Sequence, residues 1–393
     1  MSGRTTATLG EIFEIARGGS PRPIQDYLTD EADGVNWISI ADASASGKYI
    51  YNTKKRIKPA GVSRSRSVKP GDFLLTNSMS FGRPYIMKIS GCIHDGWLVL
   101  SSRRDNVDQD YFYYLLGSDA TYAKFTRLAA GATVKNLNID LVAGVEVEFP
   151  PLPEQRRIAA ILDQAETLRT QRRAALAQLD SLTQSLFLDM FGDPVVNPKG
   201  WPVVSLTDIC HCYSGGTPSK ANNAFWEGPV PWFSAKDMKA EDLFDSEDHI
   251  AETVPTTTTL KLLPKDTVAI VVRGMILAHT FPVCVLRVPA TINQDLKALI
   301  PRQPIDAQFL AACLRSQSGF VLEQVSEAGH GTKRLDSQGL QKIRVLQPEP
   351  SLQQTFATRV QAIEALKTQH RAALAAQDAL FASLQQRAFA GTL

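Results

Sequence analysis

From Glu154 to Met190 the apolar positions Ile161, Ala165, Leu168, Ala175, Leu179, Leu182 and Leu186 return at alternating steps of three and four, broken only at Arg172. This spacing predicts one long amphipathic helix with a heptad seam. The pattern returns near the end of the chain. There Ile363, Leu366, Ala373, Leu380 and Leu384 hold the same phases, and His370 stands where the first copy has Arg172. A polar residue in a seam costs stability but fixes register, so Arg172 and His370 read as alignment devices rather than catalytic groups. Prolines precede each helix (Pro150, Pro151, Pro153; Pro348, Pro350), where proline is tolerated, and Phe191-Gly192-Asp193-Pro194 stops the first. Each would be about 55–60 Å long at 1.5 Å per residue. A helix of that length with one apolar face needs a partner, and the chain holds one equivalent helix, so the two are expected to pair as an antiparallel coiled coil.

The repeat extends beyond the helices. Leu9, Ile12, Gly18, Gly19 and Pro21 recur in order as Leu206, Ile209, Gly215, Gly216 and Pro218, and a W-x-S-x-x-D pattern occurs as Trp37, Ser39, Asp42 and as Trp232, Ser234, Asp237. Short β-branched or aromatic runs (35–40, 85–89, 97–100, 268–272, 283–288) alternate with Gly, Pro and Asp turns, and helical spacing covers 108–128 and 305–324. The expected fold class is α+β: two mixed α/β domains joined by two long paired helices, with a pseudo-twofold internal repeat. The boundaries read as domain 1 at 1–150, first helix 151–191, linker 192–203, domain 2 at 204–347, and second helix 348–390.

Composition narrows the class without deciding it. The 393 residues are 44% hydrophobic and 21% charged, a globular balance, and 42 basic against 40 acidic residues leave no overall charge signal. Five cysteines at irregular spacing, with no C-x-x-C pair, fit a reduced compartment, and Cys210-His211-Cys212 lacks a second cluster to complete a metal site. No signal peptide or membrane span is legible, so a cytoplasmic location is expected.

Charge becomes informative locally. Lys48, Lys54, Lys55, Arg56, Lys58, Arg64, Arg66, Lys69, Arg83 and Lys88 are interrupted by a single acid, Asp72, which favours a phosphate backbone as partner, although a solvated basic loop would look the same. The second copy is mixed: Glu241, Asp242, Asp245, Glu247, Asp248 and Glu252 precede Lys261, Lys265, Arg273 and Arg287. Each copy ends in a Gly/Thr/Lys turn, Gly131 to Leu137 with Lys135 and Asn136, and Gly329 to Leu335 with His330, Lys333 and Arg334. Such turns let backbone approach a phosphate, and a plain hairpin explains them equally. The DNA-contact candidates are Lys54, Lys55, Arg56, Lys58, Arg64, Arg66, Arg83, Lys135 and Asn136 in the first copy and Lys220, Lys236, Arg273, His330, Lys333 and Arg334 in the second. Trp37 and Trp232 read better as core anchors than as stacking platforms. No phosphate loop, dinucleotide fingerprint, H-E-x-x-H or G-x-S-x-G elbow is present, and Phe149-Pro150-Pro151-Leu152 lacks the polar and aromatic residues of an amino-methyltransferase motif. The chain is expected to catalyse nothing alone.

The order of these parts resembles the specificity subunit of type I restriction-modification systems. The resemblance rests on Pro150-Pro151-Leu152-Pro153-Glu154-Gln155-Arg156-Arg157-Ile158, Met190 to Pro194 with Asn197-Pro198-Lys199-Gly200-Trp201, Ser214 to Pro218, and Ile292-Asn293-Gln294-Asp295-Leu296-Lys297. It implies two target recognition domains, each reading half of a bipartite asymmetric DNA site, with the helix pair as a ruler. It further implies docking of two modification subunits, which carry S-adenosylmethionine and methylate adenine N6, and of restriction subunits that use ATP and Mg; this chain itself would bind no cofactor. Glu154, Gln155 and Gln353 are the implied partner-docking positions, and the second copy, Pro350-Ser351-Leu352-Gln353-Gln354, lacks an equivalent of Glu154. The alternative class is a non-enzymatic pseudo-dimeric protein–protein scaffold with a coiled-coil spacer, separable from a DNA reader by salt dependence.

Overall fold

The computed structural model describes residues 3–77, 82–130, 137–327 and 331–393. Two compact units form: Met1–Arg172 with Ala373–Leu393, and Arg173–Ala372. Long helices run Leu152–Phe191 and Pro350–Ala390, so each unit holds part of both.

In the first unit a five-stranded sheet is ordered Phe13–Arg17, Trp97–Ser102, Phe73–Thr76, Pro84–Met87, Tyr49–Ile50. A second five-stranded sheet is ordered Leu28–Thr29, Lys55–Ile57, Val35–Ile38, Gly91–Ile93, Arg66–Val68. Thr5–Thr8 closes the unit by pairing antiparallel with Glu146–Phe149, the strand that leads into the first long helix. The second unit repeats the plan: Cys210–Ser214, Leu296–Pro301, Thr267–Val271, Val283–Leu286, Asp242–Leu243 in one sheet; Asp248–Ile250, Val230–Phe233, Thr291–Ile292 in another; and Val203–Ser205 on Arg344–Leu346. The two helical stretches read from the sequence are each broken once. Gln109–Leu116 and Asp119–Ala130 meet at Gly117, and Ala307–Ser316 and Ser318–Glu323 meet at Gln317, whose φ of −110° and ψ of 21° leave the helical region.

The repeated motifs have local physical causes. Trp37 and Trp232 are each 6% exposed, hence core. The Asp that follows reaches back to the Ser in both copies: Asp42 Oδ2 accepts from the Ser39 N–H and hydroxyl (3.1 and 2.7 Å), completing a capping box on Ile40–Ser46, and Asp237 Oδ2 accepts likewise from Ser234 (2.8 and 2.9 Å) in a turn with no helix after it. Gly18 and Gly215 are required by close backbone approach, since a Cβ would lie 1.9 Å from the His94 or Ile292 carbonyl oxygen.

The helices pair antiparallel within each unit, but not along the face drawn from the sequence. In the first unit Arg169 meets Asp378; in the second, Lys367 meets Asp180 and Phe187 packs on Phe356. Leu168, Leu182, Leu366 and Leu380, predicted in the seam, are 47, 44, 46 and 55% exposed and lie outside it. Of the other seam residues Ile363 is buried, and Ile161, Ala165, Leu179, Leu186, Ala373 and Leu384 are half-buried. The interior face instead runs through Ile158, Leu162, Arg169, Thr183 and Phe187, and through Phe356, Val360, Ile363, Lys367 and Ala388. Each helix must also cover its own sheet domain, which needs a wider apolar stripe than two heptad positions provide.

Candidate nucleic-acid interface

Each unit brings the strand that ends at residue 76 or 271 next to the chain leaving its Gly/Thr/Lys turn. Leu137 N–H donates to the Asn77 carbonyl and Leu335 N–H to the Val272 carbonyl, both at 2.9 Å. Lys135, Asn136 and His330 lie outside the described residues. In the second unit Ser326–Glu327 pairs antiparallel with Lys333–Arg334, and Arg273 bridges to Arg334 while Gly274 N–H donates to Lys333 O at 3.0 Å. Arg273, Lys333 and Arg334 therefore converge although some 60 residues separate them. Lys333 is held by Glu327 at 3.0 Å and Arg273 reaches Asp295 only at 4.0 Å, whereas Arg334 is exposed and joins no ion pair among the described residues. Between them Met275–Ala278 forms a short 3₁₀ turn on which Met275 is 63% and Ile276 37% exposed. Two exposed apolar side chains near three cations have the chemistry that groove edges and phosphates require of a binding surface. Sequence patterning places β runs at 268–272 and 283–288 and assigns nothing to the residues between them, so it passes over this turn.

In the first unit Lys55 and Arg56 lie on Lys55–Ile57, with Lys54 and Lys58 at its ends; Arg64 follows a short helix and Arg66 opens the strand at the opposite edge of the same sheet. None of these six, nor exposed Arg83, forms an ion pair among the described residues. Lys48, counted with them in the sequence, is different. It is 14% exposed and salt-bridged to Asp110 at 2.8 Å and Asp163 at 2.6 Å, and Tyr114 donates to the same Asp163 oxygen at 2.6 Å. The network ties the sheet domain to the first long helix; 115 residues separate Lys48 from Asp163, so no local signal announces it.

Three further candidates are already held by neighbours. Lys236 is exposed and is held by Asp248 at 2.9 Å and Glu247 at 3.1 Å, and these hydrogen bonds raise its pKa. Gln155 and Gln353 are not surface docking groups. Gln155 is fully buried, accepting from Asp108 N–H (2.9 Å) and donating to the Asn106 and Pro150 carbonyls, and Gln353 accepts from Asp306 N–H (3.2 Å) and donates to Pro348 O (3.0 Å). Each amide satisfies backbone groups where domain and helix meet. Glu154 stays at the surface beside Arg157 at 2.7 Å. Lys220 is exposed at the rim of a cavity of about 480 Å³ lined by Asn223, Trp226, Glu227, Trp232 and Asp248.

Nucleophilic and metal chemistry find little support. Burial pushes the thiols of Cys210, Cys284 and Cys313 up to about 12, so they remain protonated near neutrality, and among the described residues no three His, Cys, Asp or Glu side chains converge as metal ligands. No described helix is long and apolar enough to cross a membrane.

Two unlike copies of one sheet domain, each carrying basic and polar loops and each packed on parts of two long helices, define a duplicated recognition module. The family model of the type I restriction modification DNA specificity domain matches residues 1–178 and again 198–376, and the chain belongs to that family. The type I restriction enzyme EcoR124I/EcoR124II specificity subunit of Escherichia coli is 35% identical over 216 residues, 53% of this chain and 53% of that relative. The MjaIX specificity subunit of Methanocaldococcus jannaschii is 27% identical over 265 residues, 62% of this chain and 60% of the relative. The chain thus aligns with between half and two thirds of the length of these curated relatives. A chain solved in work on assembly and conformational transition of a type I R-M system superposes with a TM-score of 0.63 at 19% identity, covering 100% of this chain and 98% of the other. The S subunit of M. genitalium does so with a TM-score of 0.57 at 15% identity, covering 99% and 96%. At those identities the likeness is one of fold.

Proposed function

We propose that this chain is the DNA-reading specificity subunit of a type I restriction-modification complex. One observation carries the reading: a single chain holds two copies of a DNA specificity domain that differ in sequence and in charge. Unlike readers on one chain suit a bipartite asymmetric site, and half-sites on one face of a duplex recur about every 34 Å. The long helices set the separation. Double-stranded DNA is the ligand; two modification subunits bring S-adenosylmethionine for adenine N6 methylation, and restriction subunits bring ATP and Mg. The chain binds no cofactor, catalyses no step alone and works in the cytoplasm. Arg334, Arg273, Lys333 and Lys220 in the second unit, and Lys54, Lys55, Arg56, Lys58, Arg64, Arg66 and Arg83 in the first, supply contacts to phosphates more than to bases.

Mapping N6-methyladenine in DNA from cells co-expressing this chain with a modification subunit of its system tests the reading. A single two-part motif with a constant spacer is expected, and exchange of residues 1–150 for another recognition domain is expected to alter one half of it. Methylation without sequence preference, or none with the subunits assembled, would overturn the assignment.

A further inference from the structure

The sheets built around Trp37 and Trp232 share a three-strand core, to which the first unit adds a strand at each edge, and they carry opposite charge. Trp37 pairs with Lys55 on the neighbouring strand, and Trp232 pairs with Asp248. Arg56 is matched in the same way by His249, while Ile57 is matched by Ile250. The inversion covers the whole subdomain. Gly18 to Lys69 holds nine basic and five acidic residues, a net of +4, whereas Gly215 to Leu263 holds four basic and eight acidic, a net of −4.

The side chains are arranged to match. In the second unit Lys236 and Lys239 are both drawn onto Glu247, at 3.1 and 3.6 Å. In the first, three cations are pinned by neutral groups that leave their charge intact. Arg56 donates to the Asp30 carbonyl (2.8 Å), Lys58 to the Asp26 carbonyl (2.8 Å), and Arg64 to the Tyr27 hydroxyl (2.9 Å), with its guanidinium 5.8 Å from the ring centroid. Holding long side chains in place before binding lowers the entropy cost of using them. Among the described residues of this subdomain the one large exposed apolar side chain is Tyr51, 62% exposed. Protein interfaces are built around apolar centres, so a cation field without one fits a phosphate backbone better than a protein surface.

We propose that the Gly18–Lys69 subdomain is an accessory duplex-backbone surface with no counterpart in the second unit, so that the two ends of the recognised site are gripped unequally. The proposal rests on the DNA-reading function above. Its surface contributes affinity without sequence information, through phosphates flanking the half-site read by the first unit, while the matching subdomain of the second unit, of net charge −4 even with exposed Lys220, adds no comparable cation field.

The test uses the full chain assembled with its modification subunits and a duplex carrying the methylated motif, with either flank trimmed in turn. In a variant with Lys54, Lys55, Arg56 and Arg64 replaced by Gln, the slope of log affinity against log salt is expected to become shallower by about 0.9 per lost phosphate contact, up to about 3.6 for four. The methylated sequence is expected to stay the same. Trimming one flank should weaken the wild-type complex and leave the variant indifferent; trimming the other should affect both alike. Thermal unfolding checks that the variant folds. An unchanged slope with unchanged flank dependence would overturn the proposal, as would loss of subunit assembly at constant DNA affinity, which would assign the surface to an acidic protein. A wild-type complex that binds no duplex at low salt would remove the DNA-reading function itself, a different result from either.

Discussion

His94 shows what one residue contributes in one copy and not the other. Its carbonyl lies against Gly18, and Ile292 and Asn293 occupy that place beside Gly215, so the second unit carries no imidazole there. His94 Nδ1 accepts the Gly96 N–H at 2.9 Å, the ring lies 6.2 Å from Trp37 and 6.0 Å from Trp97, and burial holds its pKa below the ordinary 6.5. The folded chain therefore binds fewer protons than the unfolded chain as pH falls through 6.5, and stability present at neutral pH is lost on acidification. The loss cannot exceed about 1.4 kcal/mol for each pH unit from one group. Denaturant unfolding at pH 7.5 and 5.5 is expected to show a lower midpoint at 5.5 for the wild type, and His94→Gln should flatten the difference. Equal pH dependence in both proteins would place the titrating group elsewhere.

Among the elements, the helix pair carries a duplicated three-charge lock. Arg169 contacts Glu166 one turn back and Asp378 at 2.6 Å on the other helix; Lys367 contacts Glu364 at 2.8 Å and Asp180 at 3.1 Å. Each residue of one lock lies 198 positions from its counterpart. The surroundings differ: Arg169 stacks on the Phe381 ring at 4.3 Å, and the equivalent of Phe381 is Thr183. Lys367 has 5% side-chain exposure; burial opposes its charge, but the hydrogen bonds to Glu364 and Asp180 outweigh that and its pKa rises. Asp180 is largely exposed and Glu364 remains on Lys367 when it is removed, so Asp180→Asn should destabilise by about 1 kcal/mol, while Lys367→Met, which removes the charge, should cost less. Chemical denaturation with the two variants and their double mutant measures this. A double mutant whose loss equals the sum of the two single losses would mean that the two side chains do not share an interaction.

The periodicity that announced the long helices did not identify their inner face. A three-four pattern is satisfied by neighbouring stripes on a helix, and the leucines at 168, 182, 366 and 380 lie on one stripe while Arg169 and Lys367 lie on the next. Two charged residues made the buried stripe look polar, because their partners lie about 200 residues away in sequence. The alignment devices assigned to Arg172 and His370 thus have a neighbour in each helix with its partners in view.

At the scale of the whole molecule, the proposed function makes helix length a measuring device. Removing two heptads from both long helices, about 21 Å of rise, should change the permitted spacer while leaving each half-sequence intact. Methylation mapping with the shortened chain reads the result directly, and an unchanged spacer would show that the helices do not set the distance.

The duplication, the two helices, their antiparallel sense and the alternation of sheet and turn could all be read along the chain, because periodicity, proline placement and repeated motifs are local or are copied at a constant offset. The withdrawal of Lys48 from the exposed cations, the pairing of Lys236 with Glu247 and Asp248, the convergence of Arg273 with Arg334, the burial of Gln155 and Gln353, and the charge inversion between matched strands needed the folded chain. Those features depend on which distant groups fall within a few ångströms of one another, and charge pairing and desolvation act through that distance, of which sequence order carries no record.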